Sequence, residues 1–193
     1  MLRISIDKLD SLFAAISEKQ SLYIPAERAD GAAEYKKYES GMKMSSKLNT
    51  LRSAKDFFFP QTENLVDFKM EGKKIEVNDI RQECEDFVIF GVRACDARSF
   101  TILDKVYLAE PVDSFYKNRR DHGTVVTMAC TRPEETCFCQ TFGIDPTAPE
   151  GDCAVWSDGS YYYFKANTDK GQAFVDSIAS LLEEGDTAEL DKT

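Results

Sequence analysis

Histidine is nearly missing from this sequence. One residue in 193 is a histidine, His122, and it sits in the charged run Arg119-Arg120-Asp121-His122. A cysteine–histidine nucleophile pair depends on that residue, and a solvated loop histidine is the simpler reading, so a cysteine-dependent enzyme is set aside. Long apolar runs are missing too: none approaches the ~20 residues that cross a bilayer. Residues 1–10 alternate charge with single apolar side chains and contain no secretory hydrophobic region. The expected localisation is therefore cytoplasmic. Basic residues are in deficit, with 24 Lys and Arg against 34 Asp and Glu and a net charge of −10. That excludes nucleic acid and anionic membrane as partners, because both need clustered cations. Glycine-rich phosphate loops are absent, and Gly91-Val92-Arg93-Ala94-Cys95 lacks the later glycines of a dinucleotide fingerprint. No two carboxylates stand out as an acid/base couple.

What the chain does have is cysteine, six in all. Without a secretion signal these are thiols or metal ligands, not a disulfide framework. The surrounding pattern says where they fall. Residues 87–92 and 125–128 are continuous apolar runs, the mark of buried strands. Between them, residues 96–106 place Phe100, Leu103 and Val106 on one helical face. Strand, helix, strand predicts a crossover unit in an α/β or α+β fold built on a mixed sheet. Residues 6–16 read as a helix, 22–24 as a strand stopped by Pro25, 34–38 as a second strand, and 39–51 as a connecting loop. A hairpin is expected at 66–77 through Glu71-Gly72. Another is expected around Ser157-Asp158-Gly159-Ser160, followed by a helix over 169–184. Residues 1–184 then make one domain. Residues 185–193 make a polar linker tail, truncated before a further domain. The run Phe57-Phe58-Phe59-Pro60 either plugs the core or faces a partner, and the core is the commoner outcome.

Cys95 and Cys130 each close one of the buried strands, so adjacent strands bring them together at one end of the sheet. Cys137 and Cys139 follow in the next loop. Four thiols at one sheet end make a metal site, to which Phe138 and Phe142 add apolar shielding and Arg93, Arg98, Arg119 and Arg120 add positive charge. Cys84 and Cys153 read as ordinary small buried residues, Cys153 being the better spare ligand. On spacing alone an iron–sulfur cluster and a structural zinc stand level. The pattern is neither the compact ferredoxin run nor a pair of zinc knuckles.

Several stretches carry a resemblance. Residues 91–98 (Gly-Val-Arg-Ala-Cys-Asp-Ala-Arg), Tyr116-Lys117-Asn118-Arg119-Arg120, Ala129-Cys130, Thr136-Cys137-Phe138-Cys139 and the Phe-rich segment at 55–63 closely resemble a family of iron–sulfur subunits. Its members include the beta subunit of sulfhydrogenase-type nickel–iron hydrogenases and the iron–sulfur subunit of anaerobic sulfite reductase, which are 4Fe–4S dicluster-domain proteins. The resemblance spans roughly residues 22–143. It implies a 4Fe–4S cluster on Cys95, Cys130, Cys137 and Cys139, with Arg93, Arg119 and Arg120 beside the cluster or at a docking surface. It implies a non-catalytic subunit of an oxidoreductase complex, relaying electrons between a flavin-bearing NAD(P)H-linked subunit and a catalytic subunit. Family members carry a ferredoxin-like domain after this region. Here no cysteine follows Cys153, which departs from that pattern. The competing reading is a non-redox interaction module in which zinc staples the same four thiols.

Overall fold

The computed structural model describes residues 1–80 and 84–186. In chain order it contains β1 (Leu2–Ser5), α1 (Leu9–Ser17), β2 (Ser21–Glu27), β3 (Ala33–Lys37), β4 (Val66–Glu71), β5 (Lys74–Asp79), β6 (Phe87–Arg93), α2 (Ala94–Tyr107), α3 (Ser114–His122), β7 (Gly123–Met128), β8 (Cys153–Ser157), β9 (Tyr161–Ala166), α4 (Asp169–Ile178) and β10 (Glu183–Glu184). Short 3₁₀ turns lie at Ile6–Lys8, Ala54–Phe57, Cys139–Phe142 and Ala179–Leu181.

Eight strands form one mixed sheet in the order β10-β1-β9-β8-β7-β6-β2-β3, and β4-β5 forms a separate pair. The three contacts β2·β6, β6·β7 and β7·β8 are parallel and the rest antiparallel. The apolar runs of the sequence are the central strands β6 and β7. All of β7 is buried, as is β6 up to Arg93. Burial on both faces explains their lack of alternation. One face packs Leu12, Phe13 and Ile16 of α1 and Phe174, Val175 and Ile178 of α4 against Val88, Phe90 and Val126. The other packs Ala97 and Phe100 of α2, Tyr116 of α3 and Phe58 against Phe87, Ile89 and Val125. The expected mixed sheet, crossover unit and C-terminal hairpin with helix are all present.

Gly91 sets the geometry of the crossover. The β6·β7 register slips between Phe90 and Val92, and Gly91 sits in that bulge at φ +83°. Without the slip, Val92 would share a face with Phe90. With it, Val92 joins the opposite core. A Cβ at Gly91 would meet Pro25 Cδ at 3.2 Å in a backbone conformation that costs other residues about 1–3 kcal/mol. Gly91→Ala is therefore expected to lower stability by roughly that amount, read as a shift in the urea midpoint without a change of slope.

Several elements depart from the sequence reading. β2 runs through Pro25 to Glu27, because its pairing with β6 ends at Tyr23 and the missing N–H of Pro25 interrupts no ladder there. The crossover contains a second helix, α3, capped by the Asp113 carboxylate on the Tyr116 N–H at 2.9 Å. The last helix ends at Ile178, not Glu184. Leu182 turns back onto the core and Glu183–Glu184 pairs with β1, where Arg3 Nε meets Glu183 at 3.1 Å. Of the expected tail, Gly185 exchanges backbone hydrogen bonds with Met1 at 2.8 and 3.1 Å. Residues 187–193 lie outside the described residues. The Phe-rich run divides: Phe58 is core, Phe57 is half-buried against Tyr23, and Phe59 is exposed beside Tyr107. No helix among the described residues is long and apolar enough to cross a membrane.

Candidate metal centre

The parallel strands β6 and β7 end in register, Arg93 opposite Met128. Each then delivers a cysteine at the same sheet end: Cys95 in the first turn of α2, and Cys130 two residues past β7. The chain next folds back in a loop held by its own backbone. Cys137 N–H donates to the Glu134 carbonyl, Ile144 N–H to that of Cys139, and Cys130 N–H to that of Pro146. Gly143 closes the 3₁₀ turn in the left-handed region at φ +63°. A cavity of about 390 Å³ opens between this loop and the sheet, and Cys95, Cys137 and Cys139 line it with Arg93, Gly91 and Phe138. Cys130 does not line the cavity, but it lies beside Arg93, within electrostatic reach of Cys137 and Cys139.

The electrostatics tie the four thiols together. Burial pushes the Cys95 thiol up, and Asp96, Cys139 and Cys130 push it further. Burial raises Cys130 as well, with Arg93 pulling against it and Cys139 and Cys137 adding to it. Cys95 and Cys130 therefore hold their protons more tightly than a free thiol does, and a bound cation would displace them. Among the described residues no three His, Cys, Asp or Glu side chains lie close enough together to share one metal ion. Three of the four thiols border the cavity and Cys130 lies to one side of it.

Does this donor set suit a group with several metal ions? A single zinc takes four sulfurs at about 2.3 Å each. A cubane cluster wants thiolates spread around a volume, cationic charge nearby and N–H donors on sulfur. The last two are present. The Glu134 N–H donates to Cys137 Sγ at 3.3 Å, and Cys95 sits at the positive end of α2. Arg93 is fixed beside Cys130 by donating to the Leu48, Lys47 and Ala129 carbonyls at 3.0, 3.4 and 3.5 Å. The nearby guanidinium and the N–H donor on sulfur suit an iron–sulfur group.

The other expected site residues are elsewhere. Arg119 and Arg120 lie at the end of α3 and do not line the cavity. Arg119 makes a two-pronged ion pair with Glu63. Arg120 does the same with Asp104, at 2.8 and 2.9 Å, and lies 4.8 Å above the Phe58 ring. Both guanidinium groups are thus engaged with carboxylates that brace α3, away from the cavity. Arg98 pairs with Glu150 at 3.2 Å. Cys153 is fully buried in β8, its thiol pushed up to about 12 by burial. Cys84 is half-buried beside Arg119 and Glu63, in a second cavity. His122 pairs with Asp86 at 2.6 Å. The Phe138 and Phe142 rings meet at a tilt but remain 63% and 61% exposed, so they screen only the outer side.

Sequence reading missed the back wall. It comes from the loop at 39–51, whose Lys47 and Leu48 carbonyls hold Arg93, and from Tyr35 and Pro25. Leu48, an apolar residue in a mostly polar stretch and only 7% exposed, was the available signal. Asp96 is the other omission: its carboxylate accepts from Ser53 at 2.6 Å, tying α2 to the start of the Ala54–Phe57 turn that follows that loop.

The Asp104–Arg120 pair carries a pH prediction. Burial alone would raise the Asp104 carboxyl, but hydrogen bonds from Arg120 and Tyr116 outweigh it and hold the group below its ordinary value. A carboxyl depressed in the folded state contributes stability above its unfolded pKa, about 4, and loses it as pH falls through the folded value. Urea midpoints are expected to drop on acidification below about pH 4, and Asp104→Asn to flatten part of that drop. Parallel curves for the two proteins would contradict the assignment.

Against known proteins, the chain is 36% identical over 104 residues to sulfhydrogenase 2 subunit beta of Pyrococcus furiosus. The matched stretch is 53% of this chain and 31% of that protein, so the chain aligns with about a third of the curated relative's length. No family model matches the chain. No solved structure matches it either.

Proposed function

We propose that the chain is an electron-transfer portion of an anaerobic oxidoreductase complex, with one 4Fe–4S cluster bound by Cys95, Cys130, Cys137 and Cys139. The observation that carries this reading is the meeting of cysteines from separate stretches of sequence at the end of two parallel strands, three of them lining one cavity and the fourth beside it. The likeness to a sulfhydrogenase beta subunit supports the redox class and membership of a multi-subunit assembly. When bound, the cluster supplies a one-electron store. The chain's own residues do the rest. The four thiolates hold iron. The N-terminal turn of α2 and the Glu134 N–H stabilise charge on sulfur. Arg93 offsets the negative charge of the thiolate set from a position locked by three carbonyls. The sheet and the Leu48 loop keep water from the inner side. Residues 1–184 act as the single cluster-binding unit.

The partners in this reading are a flavin-bearing, NAD(P)H-linked subunit and a catalytic subunit, with electrons passing between them through the cluster. The cysteine and arginine segments support that placement, because they resemble both hydrogenase beta subunits and the iron–sulfur subunit of anaerobic sulfite reductase. Bond breaking in the substrate belongs to the catalytic subunit. The alternative, a zinc-stapled interaction module on the same four thiols, draws less support because the chain's likeness is to a hydrogenase subunit.

The test is optical. Protein prepared without oxygen is expected to be brown, to absorb broadly in the blue, and to bleach on reduction by dithionite. A colourless anaerobic protein holding stoichiometric zinc would sink the reading.

A further inference from the structure

The hairpin β4–β5 is set apart from the rest of the chain. Its strands form their own two-stranded sheet, and every residue of both is exposed. No other element among the described residues packs extensively against it. The register puts Phe68 opposite Val77 and Met70 opposite Ile75, with Val66 two residues from Phe68 on the same face. These five side chains form one continuous apolar face, each 52–68% exposed. The reverse face is wholly polar: Asp67, Lys69, Glu71, Lys74, Glu76 and Asn78. A two-stranded hairpin alone in water is marginal, so a sharply two-sided one implies a cover for its apolar side.

We propose that the cover is the same hairpin of a second copy of this chain, the two apolar faces stacking about a two-fold axis. Three observations favour a copy over an unlike partner. First, the hairpin is nearly neutral. Residues 66–79 hold three lysines and four carboxylates, while the chain as a whole carries −10. Like molecules of that charge repel, and this is the surface where they meet with little penalty. Second, the hairpin stands clear of both cores, which keeps the two acidic bodies apart. Third, the area matches a weak dimer. Five side chains exposed to this degree offer on the order of 500–600 Å² per copy, together about 1,000–1,200 Å², the low end of specific interfaces. In an isologous contact the central Phe68 and Val77 meet their own counterparts. Micromolar affinity is expected.

Sedimentation of the reduced chain, from roughly one to one hundred micromolar, tests this. The average mass is expected to climb from 21.8 kDa towards twice that value. A variant carrying Phe68→Lys and Val77→Lys should stay at the single-chain mass throughout. Both substitutions lie outside the cores, so its circular dichroism and urea midpoint should match the parent. Phe59→Lys, exposed on another surface, should still dimerise. Amides of 66–79 should gain exchange protection as the parent is concentrated. A parent that remains single at the highest concentration, with these amides unprotected, overturns the proposal and leaves the face to an unlike partner. A lysine variant that dimerises like the parent overturns it as well.

Discussion

Cys139→Ser is expected to leave protein prepared without oxygen with less than half its iron and acid-labile sulfide. The reason lies in where Cys139 stands. Among the other thiols it bears most strongly on both Cys95 and Cys130, so it links the sheet-end cysteines to the loop. Serine keeps the backbone contacts of the turn, in which the Cys139 carbonyl accepts from Ile144 at 3.0 Å. The loop therefore stays folded and the loss reports the sulfur itself. Removing a partner that merely orients a metal ligand costs about 10–100-fold in affinity, and removing a ligand costs at least that. Cys84→Ser is the control, because Cys84 lines a different cavity with Arg119, and its iron and sulfide should match the parent's. If Cys84→Ser empties the protein while Cys139→Ser does not, the ligand set is wrong.

The second large effect is on stability. Phe58 is fully buried where the Phe-rich segment enters the core beneath α2 and α3. Its ring meets Phe100 edge-on at 5.0 Å and Phe87 at 5.8 Å, with the Arg120 guanidinium 4.8 Å above it. Gly123 leaves room for it: a Cβ there would come within 2.5 Å of the ring. Phe58→Ala removes the ring, opens a cavity and strips Arg120 of its aromatic support. Such truncations cost about 3–5 kcal/mol, a large share of the ~5–15 kcal/mol that holds a domain folded. Urea unfolding of apo protein measures it without interference from metal loss. Phe59→Ala, one residue on and about half exposed, should cost under about 1 kcal/mol. Equal effects at the two positions would contradict the division of the run into core and surface.

The sequence revealed the fold's centre better than its margins. Residues 87–92 and 125–128 are buried on both sides, so their composition alone marks them as strands, and Ser157-Asp158-Gly159-Ser160 marks the β8–β9 turn. The edges carry no such mark. β10 is two glutamates long and exists only because β1 offers an unpaired side, and the apolar pattern of α4 runs on towards it without a local stop. Pro25 reads as a strand breaker locally, and only the early end of the β2·β6 ladder makes it harmless. At the metal centre, close spacing brings Cys130, Cys137 and Cys139 to notice, and strand adjacency adds Cys95. Arg93 follows from its position at a strand end. Arg119 and Arg120 look equivalent to it in composition, but their carboxylate partners, Glu63 and Asp104, are 56 and 16 residues away in sequence. Nothing local distinguishes an arginine beside sulfur from one that braces a helix. Gly91 is similar: its glycine requirement arises from closure against Pro25, a contact between strands far apart in the chain.

Four thiols holding one iron–sulfur cluster is the central claim, and counting the cluster's atoms tests it most directly. Iron, zinc and acid-labile sulfide should be measured together, per chain, on protein purified and kept without oxygen. The expected result is about four iron and about four sulfide with negligible zinc. About one zinc with neither iron nor sulfide would contradict it.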